Sequence, residues 1–170
     1  MKLRLNSLQE GLQEIQAQLS GSEIGFTEKN LDSGISIDMQ VNKGSREIQI
    51  KGQAHAALRY PCDRCAKQYT MQLDPHFEIL LSHVESDSIA LQDGVIPVTD
   101  TTMEVDISDQ IRDALYLNIP MKKICKPDCK GLCDGCGANL NYEPCRCKKD
   151  EIDSRWAPLQ KLIEKNSTED

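Results

Sequence analysis

Every cysteine of this chain belongs to a close pair, and that pairing limits the fold more than any other feature. Six of the eight lie in the run Cys125-Lys-Pro-Asp-Cys129-Lys-Gly-Leu-Cys133-Asp-Gly-Cys136-Gly and the following Cys145-Arg-Cys147. The other two form a second Cys-x-x-Cys, Cys62 and Cys65. Independently buried thiols would rarely fall this way. Zinc takes four ligands in a tetrahedron and accepts thiolates readily. A Cys-x-x-Cys turn can aim both sulfurs at one ion. Gly137, directly after Cys136, permits positive φ, so the backbone can curl and point N–H groups at the sulfurs. Cys145 and Cys147 are two apart and face the same way on an extended segment. Cys133, Cys136, Cys145 and Cys147 are thus expected to form a complete local set. Cys62 and Cys65 are then expected to join Cys125 and Cys129 across about sixty residues of chain. Two zinc ions are the simplest account; one ion with four spare thiols is the competitor.

Disulfides are the alternative for an even number of cysteines. Against them, Met1 to Leu8 has no continuous apolar run of the secretory kind, and 170 residues is long for a disulfide-stapled scaffold. A redox dithiol would sit at a strand-to-helix junction, and neither pair clearly does. No apolar run approaches a membrane span. The reading is a soluble protein of a reducing compartment, the cytoplasm.

Apolar spacing divides the chain. Leu8, Leu12, Ile15 and Leu19 make one helical stripe, and Ser7 with Glu10 reads as a capping box, so a helix is expected over Ser7–Leu19. From Ile35 the period is two: Ile35, Ile37, Met39 and Val41, then Ile48 and Ile50 beyond the Asn42–Ser45 turn. Gly52 suggests a bulge before the Ala54–Tyr60 stretch. Tyr69, Met71 and Leu73 alternate again, and Phe77, Ile79 and Leu81 keep the phase past Pro75. The first Cys-x-x-Cys is therefore expected at a hairpin tip. Glu85–Gly94 is polar and reads as a mobile loop. Val95–Val98 and Met103–Val105 read as short strands. A second helix is expected over Asp106–Asn118, capped by Asp106 and stopped at Pro120. Trp156, Leu159 and Ile163 suggest a short helix within Asp153–Lys165, before a disordered end at 166–170. The fold class is α+β: an antiparallel sheet or small barrel, two packed helices, and a C-terminal zinc-binding module. The expected division is 1–120, a cysteine-rich module at 121–150, and a helix and tail at 151–170.

Charge is polarised. Residues 121–149 hold seven basic and three acidic side chains, while the whole chain carries a net charge of −7. Lys122, Lys123, Lys126, Lys130, Arg146, Lys148 and Lys149 are the candidate contacts to RNA or a partner. Thiolates bound to zinc would offset that positive excess. Tyr142 is the sole aromatic there, whereas single-strand binders usually interleave several. An acidic chain is not a generic nucleic-acid binder.

Catalysis finds little support. Catalytic zinc commonly uses His or carboxylate ligands and keeps an open position. His55, His76 and His83 lie among strands, without ligand spacing to a cysteine pair. Pro61-Cys62-x-x-Cys65 matches half of the deaminase pattern, but His76-Phe77-Glu78 follows it in the wrong order. No phosphate loop and no Ser/His/Asp set can be picked out.

Further motifs carry a resemblance. Cys62-Asp-Arg-Cys65, the run from Asp106 through Asp-Ala-Leu-Tyr-Leu-Asn-Ile to Pro120, Lys130-Gly-Leu-Cys133 to Asn139-Leu-Asn141, Cys145-x-Cys147 and Asp153-Ser-Arg-Trp156 occur in order. Over about residues 30–163 the chain resembles the YceD family, the large ribosomal RNA subunit accumulation proteins. The resemblance implies a bacterial cytoplasmic or plastid protein supporting large-subunit ribosomal RNA and ribosome assembly. No enzymatic activity is implied. The expected partner is ribosomal RNA, a ribosomal protein or an assembly factor, with no membrane and no small-molecule substrate. Some members of the family look to keep the hairpin pair without the later Gly-Leu-Cys module, which supports two separable metal sites. The rival reading from the residues is a thiol-based redox or metal sensor.

Overall fold

The computed structural model describes residues 1–83 and 95–147. The Glu85–Gly94 loop, the Asp153–Lys165 helix, the 166–170 end, Lys148 and Lys149 lie outside the described residues. The chain forms two compact units, Met1–Pro127 and a second from Asp128 onward.

The first unit is mostly sheet. Strand β1 (Lys2–Arg4) is followed by a 3-10 turn, Leu5–Ser7, and then by β2 (Gly11–Leu19). Strands β3 (Ile35–Lys43), β4 (Glu47–Pro61), β5 (Gln68–Leu73), β6 (His76–His83), β7 (Val95–Val98) and β8 (Glu104–Asp106) precede one helix, α1 (Ser108–Asn118). The main sheet runs in the order β2-β3-β4-β6-β7, with β5 also on β4, while β1 and β8 pair separately. All pairings are antiparallel except β6 with β7.

Strand β4 organises this sheet. Its first half pairs with both β3 and β6, and its second half pairs with β5. The register is continuous from Glu47 opposite Ser82 to Pro61 opposite Gln68. At the Asp74-Pro75 break between β5 and β6, Ala54 N–H still bonds the Pro75 carbonyl at 3.0 Å. The phase kept across Pro75 in the sequence is therefore real, and Cys62 to Lys67 form the hairpin tip. Alternate residues of β3, β4 and β6 enter an aliphatic core that includes Ile37, Ile50, Leu58, Ile79 and Leu81. Helix α1 packs on β4 and β6 through Ile111 and Leu115, both fully buried. Asp106 is not its cap residue: Ile107 is the N-cap, and from β8 the Asp106 carboxylate accepts the Ser108 hydroxyl at 2.6 Å and the Ser108 N–H at 2.9 Å. Those hydrogen bonds and the Met1 amine hold it at about 2.

Three further expectations need correction. The Ser7–Leu19 segment is not a helix: Gly11 sits at φ +88, outside helical space, and all nine residues of β2 pair with β3. Ile15, Ala17 and Leu19 supply the period-two face, while Leu12, counted in the helical stripe, is 68% exposed. The free edge of β3 offered that segment a full ladder, and tertiary pairing overrode a marginal helical pattern. The capping box lies further on, where Ser20 and Glu23 close the 3-10 turn Gly21–Ile24. Second, among the described residues there is one α-helix rather than two, and the sheet ends at β2 and β7 without closing into a barrel. Third, Gly52 makes no bulge. It faces Phe77 in unbroken register, and a Cβ there would meet the ring at 2.3 Å. Gly52→Ala should thus cost about 1–3 kcal/mol in urea unfolding, the range for overpacking a core, and distinctly less in a Phe77→Leu background.

Candidate metal centre

The hairpin tip is a tight knuckle. Cys62 N–H bonds the Lys67 carbonyl at 2.9 Å, and Ala66 N–H bonds the Cys62 carbonyl at 2.9 Å. In the second unit Cys133 N–H bonds the Ala138 carbonyl at 2.8 Å, and Gly137 N–H bonds the Cys133 carbonyl at 2.8 Å. The two Cys-x-x-Cys turns thus share one hydrogen-bond pattern. The residue after the second cysteine is left-handed in both: Gly137 at φ +70 and Ala66 at φ 56. The glycine signal was legible in the sequence. The alanine gave none, because only the closed turn forces it there.

Each knuckle points backbone N–H groups at its first sulfur. Burial raises the Cys62 thiol, but N–H groups of Cys125, Cys65 and Arg64 outweigh it and bring Cys62 down to about 6. Cys133 is lowered by the N–H groups of Cys136 and Gly135. Cys136 is brought down to about 6 by those of Arg146 and Ala138. Such donors favour the thiolate, the form that binds metal.

In the first unit, Asp63 delivers a third thiol. Its carboxylate accepts the Lys123 N–H at 2.6 Å, and its own N–H bonds the Lys123 carbonyl at 2.8 Å. This clasp brings Cys125 N–H to 3.4 Å from the Cys62 sulfur and Cys125 Sγ to 3.8 Å from Cys65 Sγ. Cys129 is buried in the second unit, where the Asn141 amide donates to its sulfur at 3.5 Å.

The second unit gathers Cys133, Cys136, Cys145 and Cys147, all sulfurs within 4.8 Å of one another. Individual separations are 3.3 Å for Cys133–Cys145, 3.6 Å for Cys133–Cys147 and 4.0 Å for Cys136–Cys145. A tetrahedron with metal–sulfur bonds of about 2.3 Å has sulfur–sulfur edges of about 3.8 Å, so the spacing suits an ion. A disulfide would need about 2.05 Å. Neighbouring sulfurs of Cys145, Cys133 and Cys136 push Cys147 up to about 12. Four thiolates this close repel, and a divalent cation can replace the shared protons. Gly135 makes room: a Cβ there would meet Cys147 Sγ at 2.6 Å. Cys136, Cys145 and Cys147 are exposed, whereas Cys62, Cys65 and Cys129 are buried.

The described basic contact candidates divide between the units, Lys122, Lys123 and Lys126 in the first and Lys130 and Arg146 in the second. Lys122, Lys126 and Lys130 are exposed. Lys123 lies over the Tyr60 ring, 4.9 Å from its centroid, and Arg146 pairs with Glu143. Of the histidines, His55 bonds Asp74 at 2.6 Å and His83 bonds Asp100 at 2.9 Å. Neither joins a metal-type group among the described residues.

The family model for large ribosomal RNA subunit accumulation protein YceD matches residues 50–163, which contain all eight cysteines. The chain belongs to the YceD family. Its YceD relatives include the Arabidopsis thaliana large ribosomal RNA subunit accumulation protein YCED homolog 1, chloroplastic, 27% identical over 96% of this chain and 60% of that protein. The Zea mays protein of the same name is 25% identical over 76% of this chain and 54% of that protein. An uncharacterized protein of Mycobacterium tuberculosis is 30% identical over 85% of this chain and 70% of its own length. No solved structure matches the chain. Among the described residues, no helix of this YceD protein is long and apolar enough to cross a membrane.

The shared knuckle geometry yields opposite outcomes for two substitutions. Ala66→Gly should be neutral or stabilising by up to about 1 kcal/mol, since a left-handed non-glycine residue costs about 1–2 kcal/mol and glycine's added chain entropy offsets part of that. Gly137→Ala meets nothing within 4 Å and so carries only the backbone cost; it should weaken the second unit by about 1 kcal/mol. Chelator challenge followed by thermal unfolding reads both.

Proposed function

We propose that this chain is a non-catalytic, cytoplasmic zinc-binding factor that supports accumulation of large-subunit ribosomal RNA during ribosome assembly. The family match over residues 50–163 carries the ribosomal half of this reading, together with plant relatives named for that role. The sulfur geometry supports the metal half. Cys133, Cys136, Cys145 and Cys147 would hold one ion; Cys62, Cys65, Cys125 and Cys129 would hold the other. Cys129 enters that set by chain spacing, four residues beyond Cys125. All-thiolate, four-coordinate sites of this kind are structural: zinc contributes folding energy and leaves no open position for a substrate.

The module at 121–150 would then present a rigid surface to ribosomal RNA, a ribosomal protein or another assembly factor. Lys122, Lys123, Lys126, Lys130, Arg146, Lys148 and Lys149 are the proposed contacts. The exposed sulfurs of Cys136, Cys145 and Cys147 favour a second reading, a thiol-based sensor that releases its metal on oxidation.

Reduced protein should carry about two zinc ions per chain by elemental analysis, one per four thiolates. Retention of both ions after mild oxidant supports the structural role; loss of one with disulfide formation supports the sensor. Depletion of the protein should lower large-subunit relative to small-subunit ribosomal RNA, and an unchanged ratio would sink the assembly reading. If RNA is contacted directly, binding should weaken with a log–log salt slope of about −0.7 to −0.9 per phosphate. A flat slope, with association surviving nuclease, points to a protein partner.

A further inference from the structure

We propose that Asn141 couples the two metal groups, so that filling the Cys133–Cys136–Cys145–Cys147 group raises metal affinity at the group containing Cys129. This rests on the reading above, in which Cys129 is a ligand.

The Asn141 amide is fully committed. Its Nδ2 donates to Cys129 Sγ at 3.5 Å and to Asn139 Oδ1 at 2.8 Å, and its Oδ1 accepts the Lys130 N–H at 2.9 Å. The Lys130 N–H requires an acceptor, so the amide orientation follows, with Nδ2 toward the sulfur. One side chain therefore fixes both the Cys129 sulfur and the backbone directly after it.

Asn141 is itself held by a short turn. Asn139 Oδ1 accepts the Asn141 N–H at 3.1 Å, and Asn139 N–H donates to Glu143 at 3.3 Å. Leu140 N–H bonds the Gly131 carbonyl at 3.0 Å. The ends of that turn belong to the exposed sulfur group: Cys136 precedes it and Cys145 follows it. An ion bound by those cysteines would close the loop at both ends and lock Asn141 in place. Cys129 then meets its metal already oriented and with an N–H aimed at its sulfur. An empty group leaves the loop ends free, and Cys129 must be ordered when it binds. Linkage makes the effect reciprocal. Donors behind a metal ligand are typically worth 10–100-fold in metal affinity, and that is the effect expected here.

The test is Co(II) titration of the full-length reduced chain against a competing chelator, followed by thiolate charge-transfer absorption. Asn141→Ala should weaken binding at the Cys129-containing group about 10-fold or more and leave the other group unchanged while the Cys129-containing group is empty. Emptying the exposed group with Cys133→Ser plus Cys136→Ser should weaken the remaining group by a similar factor; Cys145→Ser serves if the double variant does not fold. In an Asn141→Ala background that emptying should have no further effect, an outcome a merely structural asparagine would not produce. Two ions bound with affinities indifferent to Asn141→Ala, or a coupling that survives it, overturns the proposal and leaves the zinc reading intact. A chain that binds only one ion, or that still binds two when Cys62 and Cys65 are replaced by Ser, overturns both.

Discussion

The unbroken register of β4 against β5 and β6 is the constraint on which the first unit depends. A fifteen-residue strand must keep one face in the core while its far end carries two cysteines out to a turn. A one-residue slip would turn every side chain to the opposite face. Ile48, Ile50, Leu58, Leu73, Ile79 and Leu81 hold the register against such a slip, because all are buried. At about 25 cal/mol per Å² of apolar surface, exposing even two of them would cost several kcal/mol. The aliphatic core thereby sets where the Cys62 and Cys65 sulfurs stand, and the Asp63 clasp on Lys123 brings Cys125 to them.

The second unit is organised by different physics. Between Asp128 and Cys147 only Cys129, Gly131 and Ala138 are buried, so apolar burial supplies little. Order comes from backbone N–H groups around sulfur and from the Asn139–Asn141 turn, and the four adjacent sulfurs could also hold a cation. Structural zinc contributes on the order of 10–16 kcal/mol at neutral pH. That exceeds what a core this small can provide. The repeated knuckle shows the same chemistry solved twice, once on a sheet and once almost without one.

Some of this was legible in the residues. The period-two runs of β3, β4 and β6 were clear because each has one face in the core. The hairpin position of Cys62 and Cys65 followed from them, as did the local grouping of Cys133, Cys136, Cys145 and Cys147 from pair spacing alone. The stretch that forms β2 misled because Ile15 and Leu19, four apart, fit a helical stripe as well as one face of a strand. Its strand state depends on β3, which lies elsewhere in the chain. Ala66, Asp63 and Gly135 gave no signal at all. Their roles are a forced backbone angle, a clasp on a residue sixty positions away, and a gap for a sulfur. None is a property of residue type.

By itself, the amino-acid order determined the chemistry: eight thiols in pairs, a glycine where one knuckle turns, and alternation that commits long stretches to strands. Those are local matters, decided by side-chain type and by spacing along a few residues. Tertiary structure decided which stretches pair, that the sheet stays open, and that Cys125 returns to Cys62 and Cys65. Those outcomes depend on contacts between distant residues, whose energies exist only once the chain has closed on itself.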